Sequence, residues 1–312
     1  MPTPYCFIKG EFVPFEEAKV GVMTHALHYG TAIFEGIRAN WNEEEETSYI
    51  FRLRDHYQRL LQGCQMLKIH LPYTVDDLAS ITLELVEKCG YRQDAYIRPL
   101  AFKSTERVAT LKLQDLEDGF LVFTIPFGSY LDVTTAAKCC TSSWRRMDDT
   151  MIPPRFKISG LYVNSILAKT EATLSGFDEA IMLTSDGHVS EGTGENIFIL
   201  RGGKLLTPSI SDNILEGITR STIMELAREE LGIETLERSI DRSELYVADE
   251  CFLTGTAAHL TPVGEVDNRP IGNGQVGDVT LKLQTLYFDA IRGKNPKYRQ
   301  YCSPVSLKSI QS

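Results

Sequence analysis

The first half of the chain alternates between short apolar strands and amphipathic helices. The segment 5–15, "YCFIKGEFVPF", predicts a hairpin with its turn at Lys9-Gly10. Thr74 as an N-cap and Gly90 as a stop predict a helix over 74–89. An earlier helix is predicted by apolar residues at spacings of three and four: Leu53, Tyr57, Leu60, Leu61, Cys64 and Leu67. Strands are predicted over 32–40, 47–53, 95–102 and 119–127.

The second half begins after a stretch punctuated by Pro and Gly, "PFGSYLDVTT" (126–135). The pattern beyond it predicts strands at 141–144, 179–185, 195–200 and 250–256, and helices at about 161–175, 219–231, 242–248 and 278–292. We therefore predict a small N-terminal domain over 1–124, an interdomain loop over 125–135 and a large domain over 136–312. The last twenty residues are predicted to form an irregular tail.

Composition and charge exclude several classes of protein. A length of 312 residues suits two domains, and a net charge of −10 argues against a nucleic-acid or anionic-membrane partner. Seven cysteines, an odd number without metal-ligand spacing, predict a reducing cytoplasm, structural thiols and no metal site. The N-terminus lacks the pattern of a signal peptide, and no apolar run is long enough to predict a membrane span.

One lysine lies in unusually apolar surroundings. Lys157 stands between Phe156 and Ile158, just before an apolar helical run. Its stem could cover apolar surface while the ammonium stays in water. Alternatively, Lys157 is a nucleophile that must lose its proton to act.

Two turns have the composition of anion-binding sites. In "EGIT" (216–219), a glycine precedes the Ile218 and Thr219 amides at the positive end of a helix, where phosphate binds readily. The alternative is that Gly217 only shapes the turn and Thr219 caps the helix. In "TGTAA" (254–258), small residues let amides converge on an anion beside the Thr256 hydroxyl. An ordinary tight turn explains that segment equally well.

Charged side chains also lie next to predicted core elements. Glu195 leads into a strand that should be buried, so its carboxylate needs a polar or cationic partner, whereas Glu191 is compatible with surface exposure. Arg59 borders the apolar stripe of its helix, and it either reaches an internal phosphate or pairs with Asp55 four residues earlier. Arg98 lies on a predicted strand and implies either a structural ion pair or a substrate carboxylate.

These features together meet the chemical requirements of pyridoxal phosphate. A lysine forms a Schiff base with its aldehyde, a carboxylate keeps its pyridine nitrogen protonated, and phosphate-binding groups anchor the ring. A non-catalytic protein that binds a phosphorylated metabolite would need the two turns but neither Lys157 nor Glu195.

Eight segments between about residues 20 and 265 resemble, in order and spacing, the branched-chain amino-acid aminotransferases of the fold-type IV pyridoxal-phosphate enzymes. The segments are "HYGTAIFEGIRAN", "FRLRDHYQRL", "AYIRPL", "PFGSYL", "FKISGLYVNSILAKTEA", "SEGTGENIFIL", "LEGITR" and "LTGTAAHLTPV". The resemblance implies an α+β / α/β fold of the D-amino-acid aminotransferase type. A small N-terminal α/β domain would precede a larger C-terminal, cofactor-binding domain with a barrel-like sheet. It also implies a homodimer or a higher homo-oligomer.

The resemblance further implies roles for individual residues. Lys157 would carry the Schiff base and move protons, Glu195 would pair with the pyridine nitrogen, and Tyr162 would approach the ring oxygen. The phosphate would be held by Arg59, the amides of Ile218 and Thr219, and Thr256. The substrate would be bound by Tyr96 and the amides of Thr256 and Ala257 at its α-carboxylate, by Arg98 at the distal carboxylate of glutamate, and by Tyr29, Phe34, Phe127 and Tyr130 around its side chain.

The implied activity is transamination of branched-chain L-amino acids (leucine, isoleucine, valine) with 2-oxoglutarate, in the cytoplasm and with small molecules as partners. Position 127 is Phe where many relatives have Trp, and 103–115 differs from the usual family loop. Both departures concern substrate range. Alternatives on the same fold are D-amino-acid transaminase, (R)-amine transaminase and aminodeoxychorismate lyase.

Overall fold

The computed structural model describes residues 4–128 and 134–307. The helices are α1 His25–Tyr29, α2 Leu53–Met66, α3 Val75–Cys89, α4 Tyr162–Leu174, α5 Ile218–Leu231, α6 Arg242–Leu245 and α7 Asp278–Ile291. The strands are β1 Tyr5–Ile8, β2 Glu11–Pro14, β3 Ala32–Phe34, β4 Ile37–Asn42, β5 Thr47–Phe51, β6 Ala95–Lys103, β7 Asp118–Pro126, β8 Ala137–Arg145, β9 Glu179–Leu183, β10 Val189–Gly192, β11 Asn196–Arg201, β12 Lys204–Thr207, β13 Thr235–Glu237, β14 Glu250–Gly255, β15 His259–Val266, β16 Arg269–Pro270 and β17 Cys302–Ser306.

Contacts divide the chain into two compact units. The first unit contains the chain up to Gly128, Phe156–Gly160 and the chain from Asp289, and the second contains the intervening residues. The predicted domains, 1–124 and 136–312, stay a prediction. In the contact pattern, the short segment around Lys157 and the C-terminal segment group with the N-terminal part of the chain.

The first unit is built on a sheet with the strand order β17-β5-β4-β6-β7-β1-β2, in which β3 also pairs with β6. Helices α2 and α3 pack against each other, and α3 packs on β1, β7 and β17. The predicted hairpin is confirmed, because Lys9 and Gly10 have φ angles of 55° and 86° between β1 and β2. Positive φ at both positions is typical of a two-residue type I′ hairpin turn. The predicted Thr74 N-cap and Gly90 stop of α3 are also confirmed.

The predicted strand 32–40 is interrupted at Glu35-Gly36. Strand β3 ends at Phe34 and β4 begins at Ile37. At the break, the N–H of Phe34 donates to the carbonyl of Lys157 and the N–H of Glu35 donates to the carbonyl of Pro99, each at 3.1 Å. A Cβ atom on Gly36 would collide with the hydroxyl of Tyr96. The break therefore fixes this backbone against both β6 and the Lys157 segment.

The second unit is built on a curled sheet with the strand order β10-β9-β8-β15-β14-β11-β12-β13, to which β16 adds beside β15. Strand β8 runs parallel to both β9 and β15, whereas β11 and β14 are antiparallel. Helix α4 packs on β8 and β9, and α5 packs on β13 and β14. One apolar core cluster of this sheet includes Ile181, Ile197, Ile199, Leu253 and Val266, and α6 contributes Leu245 to it.

Two sequence-based expectations differ from the structure at the C-terminal side. The predicted irregular tail contains β17, which pairs antiparallel with β5 in the first unit. Its sequence, "CSPVS", is too short and polar to register as a strand by itself. The helix predicted at 242–248 ends earlier, at Leu245.

Among the residues that the structure describes, no helix is long and apolar enough to cross a membrane. Within residues 4–128 and 134–307, no group of three or more His, Cys, Asp or Glu side chains is arranged to hold a metal ion.

Candidate active site

Lys157 lies in the first unit, on a short segment that is fastened to the end of β3. Besides the bond from the Phe34 N–H to the Lys157 carbonyl, Ile158 forms an isolated β-bridge with Ile33. The side-chain nitrogen of Lys157 lies 5.3 Å from the centroid of the Phe34 ring. The lysine is partly buried. Its amine is therefore held against an aromatic face rather than extended into water.

Arg59 forms a buried ion pair in the same unit. Its Nε and Nη2 donate to Oε1 and Oε2 of Glu35 at 2.7 and 2.8 Å, and Nδ1 of His56 lies 2.8 Å from Oε2. Burial by itself raises the pKa of Glu35, but the charge of Arg59 and the hydrogen bonds of His56 and Arg59 hold that pKa well below its usual range. The alternative partner expected for Arg59 was wrong, because Asp55 pairs with Arg52.

Tyr96, Arg98 and Phe34 form one cluster. Nη2 of Arg98 donates to the Tyr96 hydroxyl at 2.7 Å, and its guanidinium lies 4.4 Å from the centroid of the Phe34 ring. Within the described residues, the hydrogen-bond partner of Arg98 is thus a hydroxyl and not a carboxylate. Since Lys157 also contacts the ring of Phe34, an amine and a guanidinium share one aromatic wall.

Of the other side chains predicted to line the substrate pocket, one joins this cluster and one lies apart from it. Phe127 joins the cluster, with its ring centroid 5.3 Å from that of Tyr96. Tyr29 instead accepts the N–H of Ala109 at 3.0 Å, which ties α1 to the unusual segment 103–115. Tyr130 lies outside the described residues.

In the second unit, α5 begins at a turn that no side chain caps. Its N-cap is Gly217, and no side-chain hydrogen bond caps the helix. Thr219 therefore does not act as the cap, and its buried hydroxyl lies 3.4 Å from that of Tyr287. The amides of Ile218 and Thr219 belong to the first turn of a fourteen-residue helix, the end that attracts anions.

Glu191 and Asn196 hold the turn before α5 through hydrogen bonds to Leu215. Asn196 donates from Nδ2 to the Leu215 carbonyl at 2.8 Å and to Oε2 of Glu191 at 3.0 Å, and Oε2 also accepts the Leu215 N–H at 3.0 Å. Nη2 of Arg146 lies 2.7 Å from Oε1 of Glu191. A Cβ atom on Gly217 would collide with the Asn196 side chain, so the turn sits tightly on it.

The expectation that Glu191 is a surface residue was wrong, since only 4% of it is exposed. The ion pair with Arg146 explains how a carboxylate is accommodated there. Sequence reasoning missed Arg146 and Asn196 as well. The only signal was the position of Asn196 directly after Glu195 at the start of a core strand.

Glu195 is buried but has different neighbours. Its Oε2 accepts the N–H of Gly194 at 3.1 Å, and burial, followed by the charge of Glu179, raises its pKa to about 8. Glu179 itself pairs with Lys169 at 2.6 Å. Its side chain lies beside Gly192 and Gly255, whereas Asn196, the first residue of β11, contacts the turn before α5.

The segment 254–258 joins β14 to β15, and Gly255 pairs with His259 across the connection. It is therefore a tight turn, as the alternative interpretation holds, while Thr256 and Ala257 stay partly exposed at its tip. Tyr162 is the first residue of α4.

The residues present fit pyridoxal phosphate. The first unit provides a partly buried amine and a guanidinium with a fixed direction. The second provides a buried carboxylate ion-paired with an arginine, an uncapped helix N-terminus and a turn of small residues. In the first unit, the amine can react with an aldehyde and the guanidinium can bind a phosphate. In the second, the amides can donate to a phosphate and the carboxylate can accept from a pyridinium.

Comparison with known proteins gives the same result over nearly the whole chain. Residues 32–266 match the family "Amino-transferase class IV". A probable branched-chain-amino-acid aminotransferase of Aquifex aeolicus (strain VF5) is 52% identical over 301 residues, which cover 96% of both chains.

Solved structures agree with the sequence relatives. The branched-chain aminotransferase of Thermoproteus uzoniensis with norvaline has a TM-score of 0.92 at 44% identity, covering 97% of this chain and 99% of that one. The branched-chain amino acid aminotransferase of Thermobaculum terrenum in its PLP-form has a TM-score of 0.93 at 40% identity, covering 98% and 99%. The predicted fold-type IV architecture and the predicted enzyme class are confirmed. The chain belongs to the class IV aminotransferase family.

Proposed function

We propose that this protein transfers the amino group of branched-chain L-amino acids to 2-oxoglutarate with pyridoxal phosphate as cofactor, giving branched 2-oxo acids and L-glutamate. The observation that carries the proposal is the Phe34 ring, which contacts both the Lys157 amine and the Arg98 guanidinium. The ring thus lies beside Lys157, which can react with an aldehyde, and beside Arg98, which can bind the second carboxylate of glutamate.

When bound, the cofactor supplies an aldehyde that captures amines and a pyridinium that accepts electron density. Lys157 would take the α-proton of the amino acid and deliver it to the former aldehyde carbon of the cofactor. Arg59, the amides of Ile218 and Thr219, and the Thr256 hydroxyl bind the phosphate. Tyr162 donates a hydrogen bond to the ring oxygen.

For the pyridine nitrogen, we propose Glu191 rather than Glu195. A pyridinium needs an ionised carboxylate beside it, and Arg146 forms an ion pair with Glu191. Glu191 also bonds the same turn, at Leu215, whose helix is proposed to receive the phosphate. Glu195 faces Glu179, and its raised pKa favours a protonated carboxyl at neutral pH.

We propose the substrate-binding groups that the resemblance implies, and the cluster around Phe34 supports those of Tyr96, Arg98 and Phe127. Tyr96 and the amides of Thr256 and Ala257 bind the α-carboxylate. Phe34 and Phe127, with Tyr29 and Tyr130, surround the aliphatic side chain. Arg98, whose direction is set by the Tyr96 hydroxyl, binds the distal carboxylate when glutamate or 2-oxoglutarate is present.

We also propose a cytoplasmic homodimer or higher homo-oligomer. All seven cysteines are free thiols, in keeping with a reducing compartment. Helix α4 exposes an apolar stripe at helical spacing, formed by Val163, Ile166, Leu167 and Leu174. Such a stripe is typical of a surface covered by another chain, and sedimentation velocity measures the number of subunits.

Borohydride reduction of the pyridoxal-phosphate form tests the chemistry. We expect a pyridoxyl adduct on Lys157, located by peptide mass spectrometry, and none in Lys157→Ala. Initial rates with L-leucine, D-alanine and (R)-1-phenylethylamine, each with 2-oxoglutarate, test the substrate class, and L-leucine should be the best donor. An adduct elsewhere would refute the role of Lys157, and L-leucine as the poorest donor would refute the substrate class.

A further inference from the structure

The buried group Glu35, His56 and Arg59 has no assigned role beyond the phosphate contact of Arg59. We propose that Glu35 is a positioning residue, which holds the Arg59 guanidinium in the one direction that serves the phosphate ester of the cofactor. The inference rests on the proposed function, because it concerns how the same cofactor is held.

The geometry of the pair fixes the guanidinium rather than merely neutralising it. Both oxygens of Glu35 accept from Arg59, through Nε at 2.7 Å and Nη2 at 2.8 Å. Two parallel bonds of this kind lock the planar fork against rotation. The edge formed by Nε and Nη2 is thus directed at Glu35, and the donors of the Nη1 side are turned the opposite way.

His56 fixes the carboxylate in turn. Its Nδ1 lies 2.8 Å from Oε2 of Glu35. An ionised carboxylate only accepts hydrogen bonds, so Nδ1 must carry the proton. Glu35 and His56 are 1% and 3% exposed, which leaves the carboxylate little room to change its rotamer.

The backbone of Glu35 connects this group to Lys157. Its N–H donates to the carbonyl of Pro99, and the N–H of the preceding Phe34 donates to the carbonyl of Lys157. The following residue, Gly36, has no space for a Cβ beside Tyr96. Glu35 therefore sets the position of the Arg59 guanidinium relative to the lysine segment.

A purely electrostatic role of Glu35 predicts the opposite effect on phosphate binding. A negative charge next to the arginine that binds a phosphate dianion lowers the attraction between them. If Glu35 acted only through its charge, its neutralisation would tighten phosphate binding. If it positions Arg59, neutralisation loosens the fork and weakens phosphate binding. The sign of the change therefore decides between the two.

The experiment compares Glu35→Gln with the wild type in titrations of the apoprotein with pyridoxal phosphate and with pyridoxal, followed by the absorbance of the bound chromophore. We expect the Kd for pyridoxal phosphate to rise by about tenfold, the typical effect of weakening one charge-assisted bond. The Kd for pyridoxal should stay unchanged, because it has no phosphate. Glu35→Asp, which keeps the charge but shortens the reach, should show the same selective loss.

Asp118→Asn is the matched control. Asp118 also forms an ion pair in the first unit, with Nζ of the buried Lys103 at 2.7 Å, and is itself partly buried. Asp118→Asn should lower the melting temperature of the apoprotein, as Glu35→Gln does. The Kd values for pyridoxal phosphate and for pyridoxal should both stay unchanged. If Glu35→Gln is not folded at the assay temperature by circular dichroism, Glu35→Asp carries the comparison.

A double-mutant cycle with Arg59→Gln completes the test. If Glu35 acts through Arg59, adding Glu35→Gln to Arg59→Gln should weaken pyridoxal-phosphate binding no further. Tighter binding by Glu35→Gln, equal losses for both ligands, or additive losses in the cycle would overturn the inference. A wild type without a Schiff base on Lys157 would instead contradict the proposed function.

Discussion

Glu191 and Glu195 are four residues apart, and we expect only the Glu191 carboxylate to pair with the pyridine nitrogen. Glu191→Gln should lower kcat with L-leucine and 2-oxoglutarate on the order of 100-fold, because the charge opposite the pyridinium is lost. Glu195→Gln should change kcat by less than about tenfold, since the raised pKa of Glu195 favours a neutral carboxyl that glutamine resembles. Stopped-flow half-reactions measure both. The reverse order of effects would restore Glu195 as the partner of the pyridine nitrogen.

Glu195→Gln should instead change how stability depends on pH. The pKa of Glu195 is raised from 4.5 to about 8, first by burial and then by Glu179. Between these values the folded state holds a proton that the unfolded state releases, so this contribution is complete below pH 4.5 and is lost as the pH approaches 8. Melting temperatures of the apoprotein from pH 5 to 8 should fall less steeply in Glu195→Gln. The exposed Glu84→Gln should leave the profile as in the wild type.

Sequence patterns identified most of these side chains by type but not their neighbours. Lys157, Arg59 and Arg98 were each singled out because a charge beside apolar residues is costly without a partner. The partner of Arg59 proved to be Glu35, twenty-four residues away, rather than Asp55 on its own helix. Glu191 was misjudged for the same reason, because Arg146 and Leu215 approach it only in the folded chain.

At the scale of elements, the α5 turn depends on one close approach. Gly217 has an ordinary φ of −69°, so an alanine there would be unfavourable chiefly because its Cβ meets the Asn196 side chain. Gly217→Ala should displace Asn196 from the Leu215 carbonyl and raise the Kd for pyridoxal phosphate by about tenfold, since overpacking costs roughly 1–3 kcal/mol. Absorbance titration of the apoprotein measures it.

Gly194→Ala is the control for that substitution. It lies in the neighbouring turn, and no heavy atom lies within 4 Å of its ideal Cβ position. The Kd of Gly194→Ala for pyridoxal phosphate should therefore match that of the wild type. Equal Kd values for both alanine variants would mean that the fit of Gly217 against Asn196 does not set the anion-binding turn.

Elements with local signals were predicted well, and those that depend on distant partners were not. The N-cap of α3 forms a capping box between Thr74 and Asp77. These two residues are three apart, so the signal is local in the sequence. The break at Glu35-Gly36 has no such local signal, because it arises from contacts with Arg59, Lys157 and β6. Helix α5 was placed within one residue of its start, since Gly217 and the apolar stripe are both local.

At the scale of the whole molecule, the C-terminal segment completes the sheet of the first unit. Val305 of β17 is 6% exposed, whereas the adjacent Ser306 faces solvent. Val305→Asp would bury an unpaired charge and should lower the melting temperature by about 5 °C or more. Ser306→Asp adds the same charge on the outer face and should leave it unchanged. Differential scanning calorimetry measures both, and identical melting temperatures would show that β17 does not stabilise β5, so that the chain after residue 301 contributes little to the fold.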